Sequence, residues 1–201
     1  MKKGFTLIEM LVSIGIIVIL MAAVAGVYSG ITKAADRARC QDLVSNVATA
    51  LTQLFQKEGA WPKALIEGRK RGLLDEETAW VLGKKGYLPL TVSSDGTRLS
   101  GYDRFGIVTP WAAAYIKNHA ASPGDKLPGG GKLSDHILHY DIDLDGDGII
   151  RDASVGGAPV DVRATAIVWC CGKDGRIEPY SVGLRTDDVY SWTVGQTVEV
   201  K

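Results

Sequence analysis

Three aspartates at alternating positions are the residues whose types and spacing most clearly suggest chemistry: Asp143, Asp145 and Asp147. Carboxylate oxygens are the ligands that hard cations prefer, and Ca²⁺ takes about six to eight oxygens. Gly148 allows the sharp turn that would bring these side chains inward. The backbone carbonyl of Ile149 offers a further oxygen. The segment therefore predicts a calcium-binding loop with Asp143, Asp145, Asp147 and Ile149 as ligands.

This loop resembles the first two-thirds of an EF-hand calcium loop, with glycine at the sixth position and an aliphatic residue at the eighth. The twelfth position is Ser154, where an EF-hand carries a bidentate glutamate, and no flanking helix pair is predicted. Asp152 or Asp141 would complete the ligand shell. We expect a modest calcium affinity because a strong ligand is missing. The alternative is an acidic turn exposed to solvent.

A second signal is a carboxylate within an apolar segment. Of the 24 residues from Phe5 to Tyr28, 19 are apolar, and as a helix they would span about 36 Å, enough to cross a bilayer. Glu9 lies near the start of this segment, where an unpaired charge costs on the order of a few kcal/mol. Cleavage between Gly4 and Phe5 would create an amine that could pair with Glu9 of a neighbouring chain. Glu9 would then set the register between subunits; alternatively, it lies at headgroup depth.

A cleaved secretory signal is a competing interpretation of the same segment. Lys2 and Lys3 would form its basic region, and Ala23-Val24-Ala25 would form a cleavage site of small residues. The apolar run before that site is longer than the hydrophobic region of most signal peptides. The length therefore favours a retained helix or a special export signal.

Residues 2–12 resemble the N-terminal signal of the type IV pilin superfamily, and the chain most resembles a major pseudopilin of type II secretion. The resemblance covers about the first thirty residues. It implies that prepilin peptidase cleaves after Gly4 and methylates the new amine of Phe5. It further implies that Glu9 guides docking into a filament of pilin or pseudopilin subunits at an inner-membrane assembly platform. The expected location is the bacterial inner membrane, where lipid would surround one spanning helix and the head would lie in the periplasm. After assembly, the subunit would be part of a periplasm-spanning or surface filament.

A second resemblance lies near the C-terminus. Residues 169–175 and 186–192 resemble the end of the major type II secretion pseudopilin, in which a glycine-rich turn and a C-terminal acidic pair bind calcium. The resemblance implies a second, weaker calcium candidate at Asp187 and Asp188.

The helical signal continues beyond the apolar segment. Apolar residues recur at spacings of three and four from Ile31 to Phe55, as on an amphipathic helix. Gly59 is a plausible end of this helix, and Pro62 follows it. The sequence therefore predicts four parts: a leader at 1–4, a transmembrane and assembly helix at 5–28, its amphipathic continuation at 29–58 and a globular α+β head at 59–201.

The head combines one short predicted helix with several predicted strands. Acidic residues in its first turn favour a helix at 75–82, and glycines and prolines favour a loop at 122–134. The closeness of the strands in the sequence favours an antiparallel meander. The predicted fold is pilin-like: a long N-terminal helix packed on a small antiparallel sheet. The predicted strands are 136–142, 160–170, 176–182 and 193–200.

The cysteines and histidines give weaker signals. Cys170 and Cys171 are adjacent and would project to opposite faces, so at most one of them bonds Cys40; alternatively, all three are small buried hydrophobes. His136 and His139 would face opposite sides of a strand, which argues against a shared metal.

The overall balance of charge excludes some functions. The chain has 23 basic and 23 acidic side chains, and this neutrality argues against nucleic-acid binding. The basic cluster at 69–71 is predicted to be a solvated face. No nucleophile elbow, phosphate loop or zinc-type cysteine pair is present, so we do not expect an enzyme. The sequence favours a filament subunit, and the alternative is a membrane-tethered or secreted calcium-binding module that does not polymerise.

Overall fold

The computed structural model describes residues 7–94, 97–155, 158–178, 187–192 and 196–198. The chain divides into two compact units, Met1–Asp36 and Arg37–Lys201. Within the described residues, no helix has an apolar stretch long enough to cross a membrane. The predicted cleavage site at Gly4 and Phe5 lies outside the described residues.

Helix α1 is the longest element and runs from Leu7 to Glu58. It ends where the periodic pattern predicts, because Gly59 adopts a φ of 70° and donates its N–H to the carbonyl of Phe55 at 2.8 Å. In the unit Arg37–Lys201, the buried face of α1 contributes to the main core with Cys40, Val44, Val47, Leu51 and Leu54.

Three shorter helices follow: α2 (Lys63–Arg69), α3 (Glu76–Lys84) and α4 (Pro110–Asn118). The predicted helix at 75–82 is confirmed as α3, and Asp75 caps it by accepting a hydrogen bond from the Thr78 N–H at 3.1 Å. The sequence did not predict α2 or α4. Helix α4 begins with Thr109 as its cap and proline at its first position, a start signal that could have been recognised.

The strands form two small antiparallel sheets, which confirms the predicted α+β, pilin-like class. One sheet has the order β1-β4-β5 and the other has the order β2-β3-β6. The central strand β4 is fully buried. The strands are β1 (His139–Ile142), β2 (Ile150–Val155), β3 (Ala158–Val162), β4 (Ala166–Cys170), β5 (Val189–Tyr190) and β6 (Thr197–Val198).

The strand predictions need several corrections. The prediction 136–142 is too long, because a 3₁₀ helix at Leu133–His136 precedes β1. The prediction 160–170 is wrong as one strand, since the chain turns between β3 and β4 and its two halves join different sheets. Because the β2–β3 hairpin is inserted between β1 and its partner β4, a simple meander is also wrong.

The C-terminal strand predictions fall partly outside the described residues. Residues 176–178 form no strand, and 179–182 are not described. Of the prediction 193–200, the described part contains β6.

A disulfide joins α1 to β4 through Cys40 and Cys170, which decides between the two pairings left open by the sequence. Cys171 is a free, buried thiol, and burial raises its pKa to about 12. The adjacent cysteines therefore have different roles: Cys170 links two elements of the core, and Cys171 stays protonated beside them.

Candidate functional sites: the N-terminal helix and the acidic loop

The N-terminal part of α1 exposes apolar side chains on every side. All residues from 7 to 23 are exposed in the unit Met1–Asp36, including Leu7 at 83% and Ile19 at 70%. Seventeen residues of helix span roughly 25 Å. An apolar helix surface of this extent is stable when lipid or other apolar helices cover it. This segment can therefore act as an assembly surface.

Glu9 is the one charged residue between residues 7 and 23 of the sequence. Its side chain is exposed, and its backbone carbonyl accepts a hydrogen bond from the Ser13 hydroxyl at 2.7 Å. A carboxylate inside an apolar contact region favours neighbours that supply a positive charge. The position of Glu9 on an exposed apolar helix suits the predicted role in assembly.

The acidic loop connects β1 to β2, and Asp143 anchors it to the core. The Asp143 N–H donates to the carbonyl of Thr165 at 2.9 Å, and the Asp143 carbonyl accepts from the indole of Trp61 at 2.5 Å. Only 3% of Asp143 is exposed, whereas Asp145 and Asp147 are exposed. The loop thus begins from a fixed position and extends into solvent.

Backbone N–H groups of the loop donate hydrogen bonds to all three carboxylates. Asp143 accepts from Gly146 at 2.9 Å and from Gly148 at 2.7 Å, one bond to each of its carboxylate oxygens. Asp147 Oδ1 accepts from the Ile149 N–H at 2.8 Å. One ligand oxygen from each aspartate lies within 4.8 Å of the others, the kind of donor set that suits a hard divalent cation.

Arg151 lies against the outer carboxylates of the loop. Its guanidinium forms ion pairs with Asp145 Oδ2 at 3.4 Å and with Asp147 Oδ2. The hydrogen bond from Arg151 holds the pKa of Asp147 below its usual value. The aspartate pattern did not predict a role for Arg151, although Arg151 follows the third aspartate by four residues.

The two candidates for completing the ligand shell lie elsewhere. Asp141 is buried on β1 and pairs with the guanidinium of Arg69. Asp152 is exposed on β2, where its φ of 53° accompanies a bulge and its N–H donates to Asp161 Oδ1 at 2.9 Å. The close group of carboxylates in the described residues contains Asp143, Asp145 and Asp147 but not these two.

The second acidic candidate is organised differently. Asp188 is 2% exposed and accepts from the N–H groups of Gly172 at 3.0 Å and Glu178 at 2.9 Å, and burial raises its pKa. Asp187 is exposed and accepts from the Lys173 N–H at 2.8 Å. Both carboxylates therefore hold loop backbone in place, and within the described part of the chain they do not join a group of three close ligand atoms.

The arginines of the basic cluster at 69–71 form ion pairs with nearby carboxylates. Arg69 pairs with Asp141, and Arg71 pairs with Asp75 at 2.9 Å and with Glu77 at 3.1 Å. The two arginine charges are therefore balanced by nearby carboxylates, while Lys70 and Arg71 are exposed as the sequence predicts.

The two histidines lie in different elements. His136 is buried in the 3₁₀ helix, where its Nδ1 lies 3.1 Å from the Thr109 hydroxyl and its Nε2 lies 3.1 Å from the carbonyl of Gly130. His139 on β1 stacks on Trp169 with ring centroids 5.5 Å apart. The strand geometry assumed for both histidines is therefore wrong for His136.

An α+β head with a long N-terminal helix, apolar and exposed over its first turns, is the architecture of a pilin-like structural protein. Residues 1–25 match the family model described as the prokaryotic N-terminal methylation motif, which is the signature of type IV pilins and pseudopilins. The match supports a type IV pilin-like N-terminus, and this motif implies processing by prepilin peptidase and membrane-associated assembly with other pilin subunits. No curated protein and no solved structure matches it.

Proposed function

We propose that the chain is a structural subunit of a type II secretion pseudopilus or a related type IV pilus-like filament. The observation that carries this proposal is the methylation motif at residues 1–25, whose residues 7–23 form a helix with apolar side chains exposed on all sides. Prepilin peptidase cleaves after Gly4 and methylates Phe5, and the N-terminal helices of neighbouring subunits then cover one another's apolar surfaces.

We place the subunit at the bacterial inner membrane before assembly, with its head in the periplasm. The disulfide between Cys40 and Cys170 supports this placement of the head, because disulfides persist in oxidising compartments such as the periplasm. Membrane lipid and other apolar helices are the two environments that favour the exposed side chains of residues 7–23.

Mass spectrometry of the N-terminus together with a Glu9→Ala variant tests the assembly role. We expect a mature chain that begins with methylated Phe5 in both the wild type and the variant. Filament formation should fall at least tenfold in the variant, because the amine of the neighbouring subunit loses its partner.

Glu58→Ala is the matched control, since Glu58 is a glutamate of the same helix but lies in the unit Arg37–Lys201. There it pairs with Lys85 of the same unit at 2.7 Å. This control should assemble normally. An uncut Met1 or a start at Gly26 would contradict the proposal, and normal filaments from Glu9→Ala would refute the docking role of Glu9.

Deletion of the gene in its own bacterium tests which filament the subunit serves. A pseudopilus subunit is needed for export of folded proteins, so the deletion should abolish their release into the medium. Intact secretion combined with loss of surface pili or of DNA uptake would assign the subunit to a pilus or competence filament instead.

We propose calcium binding as a second function of the head. Three carboxylates with ligand oxygens within 4.8 Å of one another support it, and the Ile149 carbonyl is a further candidate donor. Calcium would neutralise the repulsion between the carboxylates and hold the loop in one arrangement. Because Ser154 replaces the bidentate glutamate of an EF-hand, the expected dissociation constant lies in the range of extracellular sites, about 10⁻⁴–10⁻³ M.

Terbium luminescence tests this site, because Tb³⁺ replaces Ca²⁺ and is excited by a nearby indole. Trp61 donates to the Asp143 carbonyl, so excitation of tryptophan should produce terbium emission that calcium abolishes. Trp61→Phe should remove most of the signal, whereas Trp80→Phe on α3 should retain it. Calcium should also raise the melting temperature, and no calcium-dependent shift up to about 10 mM, well above the expected dissociation constant, would rule out the site.

A further inference from the structure

A basic side chain, that of Arg151, pairs with the carboxylates of the acidic loop. Arg151 follows the loop at the start of β2, and its guanidinium spans two exposed carboxylates through separate nitrogens, Nη1 to Asp145 and Nη2 to Asp147. In the described part of the chain, no comparable basic side chain pairs with Asp143, whose two oxygens accept from backbone N–H groups. Arg151 thus neutralises the solvent-facing side of the loop and not its buried side.

Every carboxylate oxygen of the loop has a hydrogen-bond donor in this arrangement. Backbone N–H groups of residues 146–149 satisfy four of the six oxygens, with distances of 2.7–3.5 Å. The guanidinium satisfies the remaining two, Oδ2 of Asp145 and Oδ2 of Asp147. A metal ion that binds all three aspartates must therefore share the carboxylates of Asp145 and Asp147 with the guanidinium.

We propose that Arg151 is a tethered counter-ion that competes with calcium for Asp145 and Asp147 and so lowers the calcium affinity of the loop. The inference rests on the proposed calcium site. With Arg151 in place, the three aspartates and the guanidinium together carry a net charge of −2 instead of −3, which reduces the attraction for a divalent cation. The head then keeps an ordered loop at low calcium concentration and exchanges the guanidinium for the metal at high concentration.

Calcium titration by calorimetry, on the full-length chain in detergent micelles, tests this role. Arg151→Gln removes the charge and keeps a polar side chain. We expect this variant to bind calcium roughly tenfold more tightly than the wild type, because two exposed ion pairs no longer compete. Arg151→Lys keeps one charge without the forked geometry and should fall between the two.

Arg71→Gln is the matched control, because Arg71 also bridges two carboxylates, Asp75 and Glu77, away from the loop. It should bind calcium as the wild type does. Equal affinities in the wild type and Arg151→Gln would overturn the competition while leaving the calcium site in place. Binding in neither protein would overturn the calcium site and the competition together.

A chelator experiment adds a readout that does not require bound metal. Without calcium, Arg151→Gln leaves Asp145 and Asp147 unneutralised, so limited proteolysis should cut the acidic loop several times faster than in the wild type. Calcium should restore protection in the variant. Equal cleavage rates of the two proteins in chelator would argue against a counter-ion role.

Discussion

At the scale of single residues, Asp143 anchors the acidic loop to the core. Its carboxylate is buried, both oxygens accept backbone N–H groups, and its main chain is tied to Thr165 and Trp61. The other two aspartates of the loop are exposed. Three chemically equal residues therefore have unequal structural roles, and the sequence pattern by itself treats them alike.

Asp143→Ala should destabilise the head without any metal present. The substitution leaves two loop N–H groups without their acceptor, so we expect a loss of about 1–3 kcal/mol in the free energy of unfolding. Asp145→Ala, the matched exposed change, should alter that value by less than about 0.5 kcal/mol. Urea denaturation in the presence of chelator measures both variants, and equal effects would show that Asp143 does not anchor the loop.

At the scale of elements, close packing fixes helix α2 against its neighbours. Gly68 faces Thr78 of α3 and Tyr140 of β1, and a Cβ atom added to Gly68 would lie 2.1 Å from Thr78 Cγ2 and 2.7 Å from the Tyr140 hydroxyl. That hydroxyl donates to the Leu65 carbonyl at 2.6 Å. A larger residue at position 68 must therefore push apart three elements that meet there.

Gly68→Ala should cost about 2–4 kcal/mol, because it combines overpacking with loss of a buried hydrogen bond. Gly124→Ala is the matched control, since a Cβ atom added there would meet nothing within 4 Å and the φ of Gly124 is not positive. The control should change the free energy of unfolding by less than about 0.5 kcal/mol. Thermal or urea denaturation measures the stability of the two variants. If Gly68→Ala does not change the free energy of unfolding, α2 can shift away from α3.

The elements that the sequence could predict are those with local signals. The end of α1 at Gly59 and the cap of α3 at Asp75 depend on residues within one helical turn. Helix α2 could not be predicted in this way, because its seven residues include Gly68 and contacts with α3 and β1 hold it in place. The pairing of β1 with β4 across an inserted hairpin is likewise a tertiary property.

The candidate sites also divide into features with local sequence signals and features that depend on tertiary contacts. The spacing of the three aspartates predicts which carboxylates come together, since the loop is local and its own N–H groups shape it. The pairing of Asp141 with Arg69 could not be predicted, because 72 residues separate them in the sequence. Trp61, which contacts the loop from 82 residues away, was missed for the same reason.

At the scale of the whole molecule, one disulfide constrains most of the head. Cys40 and Cys170 are 130 residues apart, so their bond closes a loop that contains much of the unit Arg37–Lys201. In the chain-entropy account, a loop of this length contributes up to about 5 kcal/mol to stability. The head should therefore depend strongly on its oxidation state.

A Cys40→Ala, Cys170→Ala double variant should lower the free energy of unfolding by roughly 2–5 kcal/mol. Cys171→Ala, the matched change at the buried free thiol, removes one Sγ atom and should cost about 1 kcal/mol. Thiol titration in denaturant should find one thiol in the wild type and none in Cys171→Ala. Urea denaturation compares their stabilities, and three thiols in the wild type would contradict the pairing.

The stability of the head should also fall in mild acid through His139. Burial lowers the pKa of His139 to about 4, below its usual 6.5. Between these values the unfolded chain binds a proton that the folded chain does not, so the contribution of His139 to stability is complete above pH 6.5 and decreases toward pH 4. The raised pKa values of Asp141 and Asp188 act in the opposite direction, because these buried carboxyls bind protons more readily in the folded head.

Comparison of variants isolates the contribution of His139 from those carboxyls. In His139→Gln, the acid-induced loss of stability between about pH 7 and pH 4 should be smaller than in the wild type by about 3 kcal/mol. His119→Gln is the control for removal of an imidazole, because His119 lies exposed at the end of α4. Urea denaturation at half-unit steps of pH measures the three profiles. Parallel profiles for the wild type and His139→Gln would contradict this prediction. They would mean that the imidazole of His139 takes up its proton equally well in the folded and unfolded chains, and that burial on β1 does not lower its pKa.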